Sequence, residues 1–143
     1  MGSGKSSSLQ YLNPKETFII SCTPKQLSIP GFRKNYKKLT QDKDKNYVGN
    51  WYFSNEFAKV MNIMNVVNVK MPEIDDSNYL LSQEVMSRSA EKGYDKHIDF
   101  AKHYYDLIMK AMTLREDLIV VFISHIVNDG NDYDPKYKLF TTG

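Results

Sequence analysis

Apolar residues along the chain alternate between short strand-like runs and helix-like periodicities. The β-branched and aromatic run at residues 17–22 predicts a strand. Apolar side chains recur every three or four positions over residues 54–65 and 95–113, which predicts two helices. Residues 77–91 favour another helix, which Gly93 would end. Strands and helices of these lengths are typical of βαβ units.

Three further runs complete this pattern. Residues 66–74 alternate partly like a strand, although Pro72 lacks a ladder donor. Residues 118–124 are almost uninterrupted in their apolar character, which predicts a central parallel strand covered on both faces. A last strand is predicted to begin at residues 136–142, and residues 24–50 form a long surface excursion. The expected fold class is therefore α/β with a mainly parallel sheet.

Composition narrows the class of protein. A chain of 143 residues with 41% hydrophobic and 25% charged residues is expected to form one domain over residues 1–143. A net charge of +2 is too small to indicate a nucleic acid or membrane by itself. The single cysteine, Cys22, excludes a disulfide framework. No apolar run approaches the roughly 20 residues of a membrane span, so we expect a soluble cytoplasmic protein.

The N-terminal segment matches the last positions of the phosphate-loop (Walker A) pattern GxxxxGK[ST]. Its glycines would let backbone N–H groups surround phosphate oxygens, Lys5 would reach the β and γ phosphates, and the Ser6 hydroxyl would bind Mg²⁺. A remnant of an expression tag is the alternative origin of this Gly-Ser stretch. The candidate nucleotide-binding residues are Gly2, Ser3, Gly4, Lys5, Ser6 and Ser7.

Polar side chains follow two of the predicted strands. Asp75 and Asp76 end the first in the manner of a Walker B segment, where one carboxylate supports Mg²⁺ and its neighbour orients the attacking water. The alternative is an acidic turn. Ser124 and His125 end the second, at the edge where open α/β sheets bind ligands. His125 could sense a γ phosphate or serve as a structural histidine.

A basic segment separates the first predicted strand from the first long helix. Residues 32–38 mix cations with aromatic side chains, and Lys43 and Lys45 extend the cluster. Cations interleaved with aromatics are typical of surfaces that bind single-stranded nucleic acid. A solvated loop is the alternative, because Asp42 and Asp44 dilute the positive charge.

Taken in order, these segments resemble the phage-encoded RecA-like P-loop ATPases of the AAA family or Sak type, the single-strand annealing ATPases. The resemblance runs through most of the chain. The matching segments are Gly2-Ser3-Gly4-Lys5-Ser6-Ser7-Ser8-Leu9, Phe18-Ile19-Ile20 with Lys25, Pro30-Gly31-Phe32, residues 47–52, Ile74-Asp75-Asp76 with Tyr79-Leu80, Glu84-Val85-Met86 with Gly93-Tyr94-Asp95-Lys96, and Val121-Phe122-Ile123-Ser124-His125.

This resemblance implies a RecA-like three-layer sandwich, a homo-oligomer, and an ATP- and Mg²⁺-dependent ATPase that acts in phage DNA recombination or replication in the host bacterial cytoplasm. It implies that Lys5 contacts phosphate, that Ser6 and Asp75 support the metal, that Asp76 is the base and that His125 is the sensor.

The chain also departs from the family pattern. Pro72 and Glu73 interrupt the Walker B strand, and the family's first strand and first loop glycine would precede Met1, which makes the expected domain partial. The alternative is a non-catalytic remnant or interaction domain that keeps the fold and binds no nucleotide.

Overall fold

A computed structural model describes residues 5–24, 27, 29–67, 71–75, 77–130, 133–134 and 136–139. The helices are α1 Lys5–Ser8, α2 Phe32–Asn35, α3 Phe57–Val66, α4 Asn78–Ser87 and α5 Asp95–Met112, and a 3₁₀ turn spans Leu9–Tyr11. The strands are β1 Thr17–Ser21, β2 Thr40–Gln41, β3 Tyr47–Val48, β4 Trp51–Phe53, β5 Met71–Asp75, β6 Val121–Phe122, β7 Ile126–Asn128 and β8 Tyr137–Leu139.

The main sheet has four strands in the order β4-β1-β5-β6, and every neighbouring pair is parallel. Parallel neighbours require a crossover connection. Helix α3 lies between β4 and β5 in the chain, and α4 and α5 lie between β5 and β6. The molecule is therefore a mixed helix and strand structure with a small parallel sheet, as the alternating sequence pattern predicted.

Strand β1 lies inside this sheet, and all five of its residues are buried. Because successive side chains point to opposite faces, β1 serves two hydrophobic clusters. Phe18 and Ile20 belong to the first cluster, together with Cys22, whereas Ile19 belongs to the second. The first cluster also contains Val60, Ile63, Met64, Ile74, Leu80 and Leu107, and the second contains Leu9, Leu27, Ile29, Phe32 and Tyr36.

Strand β5 accommodates a proline without losing its place in the sheet. Pro72 is paired in register with Phe18 of β1. The pairing with β6 begins only at Glu73, so within the described residues Pro72 has a neighbouring strand on one side alone. A missing backbone donor is tolerated at such a position.

Several predicted boundaries differ from the observed ones. Helix α3 begins at Phe57 instead of residue 54 and extends through Val66, and β5 follows from Met71, with residues 68–70 outside the described part. Helix α4 ends at Ser87, before the predicted residue 91. The prediction for α5 is confirmed almost to the residue, since it spans Asp95–Met112.

The prediction that residues 118–124 form a central strand covered on both faces is wrong. Only Val121–Phe122 is a strand, and it lies at the end of the described sheet. Ile119 is 58% exposed and Val121 is 36% exposed. An apolar run records the tendency to form a strand but carries no information about how many neighbours the strand acquires.

The excursion over residues 24–50 contains α2 and the antiparallel hairpin β2–β3. It returns to the sheet through Asn50, whose side chain donates to the carbonyls of Pro14 (2.8 Å) and Asn35 (3.1 Å). The Asn50 amide oxygen accepts from the Lys37 N–H at 2.8 Å. One amide side chain thus connects three backbone segments and sets the start of β4, a sheet strand that the sequence pattern did not predict.

Helices α4 and α5 are joined by an ionic cluster around Arg88. Its guanidinium lies 2.7 Å from Glu91 and 3.0 Å from Asp99. The hydrogen bond with Arg88 lowers the pKa of Glu91. The Arg88 guanidinium also lies 5.2 Å from the centre of the Phe100 ring, within the range of a cation–π contact. This cluster fixes the α4–α5 crossover.

We expect Gly49→Ala to destabilise the fold more than Gly93→Ala. Both glycines have positive φ, so alanine at either position should cost about 1 kcal/mol in backbone strain. At Gly49 an added Cβ would also lie 2.6 Å from the Lys38 carbonyl oxygen, whereas nothing lies within 4 Å at Gly93. Urea unfolding of both variants measures the difference, and equal free energies of unfolding would contradict this packing.

Candidate functional site

Two predicted site segments end side by side at the carboxyl edge of the sheet. Ile74 of β5 is paired in register with Phe122 of β6. Beyond the strand ends, the Ile123 N–H donates to the Ile74 carbonyl at 2.9 Å and the Ser77 N–H donates to the Ile123 carbonyl at 2.9 Å. The backbone of Asp75 therefore lies next to the segment that carries Ser124 and His125. In open α/β sheets this edge is where ligands bind.

A cluster of three hydroxyl groups lies directly behind this edge. The Ser77 hydroxyl is 2.6 Å from the Ser124 hydroxyl and 2.9 Å from the Tyr104 hydroxyl. It also donates to the Ile123 carbonyl at 3.1 Å, and Ser77 is completely buried. Tyr104 and Ser124 are 3.4 Å apart. The hydroxyl cluster of Ser77, Tyr104 and Ser124 thus connects α4, α5 and the end of β6.

Ser77 immediately precedes α4, where a serine commonly caps a helix through its side chain. Here the side chain makes no capping hydrogen bond and is directed to β6 instead. Tyr104 is also held by an edge contact with Phe57 of α3, with ring centroids 6.3 Å apart. The cluster therefore links the helical layer to the strand end that carries the predicted sensor.

Sequence reasoning singled out Ser124 but missed its two partners. Ser77 is predicted only as the first residue of the helix over residues 77–91 and as part of the alternative acidic turn. Tyr104 lies between Phe100 and Leu107, two buried residues of α5, at spacings of four and three. That second periodic face of the helix was the available signal for Tyr104. The hydrogen bonds themselves join residues 27 and 47 positions apart, which no local pattern records.

His125, the predicted sensor, is exposed at the same edge. Its ring makes an edge contact with Tyr79 of α4, with centroids 6.1 Å apart and an interplanar angle of 69°. Tyr79 is itself partly exposed. The pair presents an imidazole and a phenol on the solvent side of the edge, where a ligand has access to both.

The phosphate-loop segment is only partly described. Gly2, Ser3 and Gly4 lie outside the described residues, as does Asp76. The backbone of Lys5 and Ser6 opens α1, and Ser7 is exposed. Helix α1 therefore begins where the motif predicts, although it continues for only four residues before the 3₁₀ turn.

Helix α1 is anchored to the sheet through the residue that follows it. Leu9 is 3% exposed and belongs to the second hydrophobic cluster. Ile123, the residue before Ser124, packs against that same cluster. The Lys5-Ser6 segment and the carboxyl end of β6 are thus attached to one face of the sheet through a shared cluster. Whether the Lys5 and Ser6 side chains reach Asp75 stays a prediction.

The described residues include no group of three or more His, Cys, Asp or Glu side chains that could hold a metal ion. The backbone of Asp75 lies at the carboxyl edge, and its side chain is not among the described ones. Strand topology therefore bears on Asp75 alone, and a shared magnesium site of Ser6 and Asp75 stays a prediction. A magnesium ion commonly takes only one or two carboxylates and completes its shell with water and phosphate.

The basic segment has the exposed cations that were expected, but its aromatic side chains are not available to stack on bases. Phe32 and Tyr36 are buried and stack on each other with centroids 5.2 Å apart, so neither ring can serve as a platform for bases. Trp51 meets Phe32 edge-on at 5.6 Å. The cations of the predicted basic segment are all exposed; they are Arg33, Lys34, Lys37, Lys38, Lys43 and Lys45. The structure therefore shows a basic surface of exposed cations in a segment whose Phe32 and Tyr36 rings are buried.

No protein-family model, curated protein or solved structure matches this chain. Within the described residues, no helix has both the length and the apolar character needed to cross a membrane. A proposal about function therefore rests on the geometry of the sheet edge.

We expect Ser77→Ala to lower the free energy of unfolding by about 1–3 kcal/mol, because it leaves buried hydroxyl and carbonyl groups with fewer partners. Tyr104→Phe should do the same, and the double variant should show a coupling of at least about 0.5 kcal/mol because the groups share one network. Ser87→Ala on the same helix removes an exposed local bond and is the control. Additive effects in urea unfolding would contradict a connected cluster.

Proposed function

We propose that the chain is an ATP-binding and ATP-hydrolysing domain of the RecA-like P-loop type, from a phage protein that acts in DNA recombination or replication. The observation that supports this most directly is the parallel pairing of β5 with β6, which brings the acidic end of one strand beside the Ser124-His125 end of the other. A carboxylate at one strand end could support Mg²⁺, and a polar residue at the adjacent strand end could contact the γ phosphate, as phosphoryl transfer to water uses such groups.

The predicted ligand residues are of the chemical type that would bind a nucleotide with Mg²⁺. Asp75 and the Ser6 hydroxyl are oxygen ligands, the type that Mg²⁺ prefers. Lys5 opens α1 and would contact phosphate oxygens as a point charge. Asp76 would orient the attacking water, and His125 would contact the γ phosphate. Bound Mg²⁺ would neutralise part of the phosphate charge.

Single-stranded DNA is the polymer that we propose as the second ligand. The exposed cations of the basic surface would contact phosphates, and the burial of Phe32 and Tyr36 argues for binding through charge instead of base stacking. Such binding is expected to be independent of base sequence and sensitive to salt.

A fluorescent ATP analogue measures the first part of this proposal. We expect Mg²⁺-dependent binding that weakens at least about tenfold in Lys5→Ala, because a charge-assisted contact to phosphate is lost. Asp75→Asn should reduce the difference between titrations with Mg²⁺ and with a chelator. Lys15→Ala, which removes an exposed lysine near the same helix, is the matched control and should bind as the unmodified chain does.

Two outcomes would contradict the nucleotide proposal. One is the absence of saturable binding by the unmodified chain, and the other is equal binding by the chain and by Lys5→Ala. Either result would favour the alternative of an interaction domain that binds no nucleotide. The large apolar side chains exposed on α5 are the observation that favours that alternative.

Binding of a labelled oligothymidine measures the second part. The double variant Lys34→Gln/Lys38→Gln should lower the slope of log affinity against log salt by about 1 to 2, since each phosphate contact contributes about one unit. Lys15→Gln/Lys92→Gln removes two exposed lysines outside the basic surface and should leave the slope unchanged. Equal slopes for both double variants would exclude this surface as the DNA site.

A further inference from the structure

Ser77 joins the start of helix α4 to the end of strand β6. On the strand side, its N–H donates to the Ile123 carbonyl at 2.9 Å, and its hydroxyl lies 2.6 Å from the Ser124 hydroxyl. On the helix side, its carbonyl accepts from the N–H of Leu80, a buried residue, at 3.2 Å. The first turn of α4 and the Ser124-His125 segment are therefore held in one relation through a single buried serine.

The two aromatic rings at the sheet edge belong to these two segments. Tyr79 lies in the first turn of α4, two residues after Ser77, and His125 directly follows Ser124. Their rings meet edge to face with centroids 6.1 Å apart, and both residues are exposed. Exposed side chains commonly exchange rotamers quickly, and a ring contact slows this exchange only while the two backbones stay in place. The position of the imidazole therefore depends on Ser77.

The Ser77 side chain serves this connection and not the helix cap. It makes no capping hydrogen bond to α4. Its hydroxyl instead donates to the Ile123 carbonyl at 3.1 Å and lies 2.9 Å from the Tyr104 hydroxyl, in addition to its contact with Ser124. Alanine at position 77 would therefore remove the contacts with β6 and α5 without removing a side-chain cap.

We propose that Ser77 is a positioning residue that selects a nucleoside triphosphate over a diphosphate, because it holds the His125 imidazole in place to contact a γ phosphate. This inference rests on the proposed nucleotide function. It adds a residue that touches neither the nucleotide nor the metal and acts through His125. A diphosphate lacks the group that His125 would contact, so the loss of Ser77 should weaken triphosphate binding selectively.

Selectivity is measured with the full chain as the ratio of its affinities for a non-hydrolysable ATP analogue and for ADP, both with Mg²⁺. A partly unfolded variant loses affinity for both nucleotides by the same factor, so a purely structural effect cancels in this ratio. We expect the unmodified chain to favour the triphosphate at least about tenfold, because the contact to an ionised phosphate is charge-assisted.

Ser77→Ala should lower this ratio at least about threefold. Ser124→Ala removes the partner hydroxyl from a half-buried position and should give a similar decrease, which tests the same connection at a site that is easier to substitute. Ser87→Ala removes an exposed local bond of the same helix and should leave the ratio unchanged. A ratio that neither Ser77→Ala nor Ser124→Ala lowers would overturn the proposal.

A double-mutant cycle shows whether Ser77 acts through the imidazole. His125→Ala should lower the ratio at least as much as Ser77→Ala does, and the double variant should show no further decrease. Equal decreases from Ser77→Ala in the presence and in the absence of His125 would contradict the proposal.

The position of the imidazole is also measured without nucleotide, through the NMR signals of the His125 ring protons near the Tyr79 ring. The chain has three histidines, and His125→Ala identifies these signals. Tyr79→Leu and Ser77→Ala should both shift them, whereas Ser87→Ala should not. Unchanged signals in Ser77→Ala would overturn the positioning role whether or not a nucleotide binds.

Failure of this inference differs from failure of the proposed function. Binding of both nucleotides with a ratio that Ser77→Ala leaves unchanged would overturn the inference alone. An unmodified chain that binds neither nucleotide would contradict the proposed function and, with it, the selectivity that we assign to Ser77.

Discussion

The parallel pairing of β1 with β5 is the constraint on which the rest of this structure depends. Five consecutive residues of each strand are in register, from Thr17 with Met71 to Ser21 with Asp75. Because β1 is buried on both faces, each face must be covered by its own set of side chains. The second cluster covers one face with Leu9 and the excursion, and the first covers the other with α3, α4 and α5.

The parallel pairing of β5 with β6 determines which polar residues lie together at the carboxyl edge of the sheet. Parallel strands end at one edge, so Asp75, Ser124 and His125 converge although the chain separates them by about 50 residues. The crossover that joins these strands is held by polar contacts at two levels, the hydroxyl cluster near the edge and the ionic cluster of Arg88 farther along α4. A shift of α5 would therefore move the Tyr104 hydroxyl, which is hydrogen-bonded to Ser77 and, through Ser77, connected to Ser124 at the end of β6.

Two apolar surfaces are left open by these same contacts. Packing of Leu107 in the first cluster, with Ala111 against it, leaves Ile98, Tyr105 and Met112 of α5 exposed to solvent. Strand β6, with Val121 partly exposed, presents a second apolar region at the sheet edge. Exposed apolar surface of this kind commonly marks an interaction site.

The sequence by itself determined the local elements: the run at residues 17–22 contains β1, and a regular spacing gave α5 nearly to the residue, because these signals are set by neighbours in the chain. Only the tertiary structure decided which face of α5 is buried, that only Val121–Phe122 of residues 118–124 forms a strand, and that Phe32 and Tyr36 are core instead of ligand platforms. The hydroxyl cluster of Ser77, Tyr104 and Ser124 likewise became visible only in the folded chain. Burial and long-range hydrogen bonds depend on which elements become neighbours, and no local spacing of apolar residues records that choice.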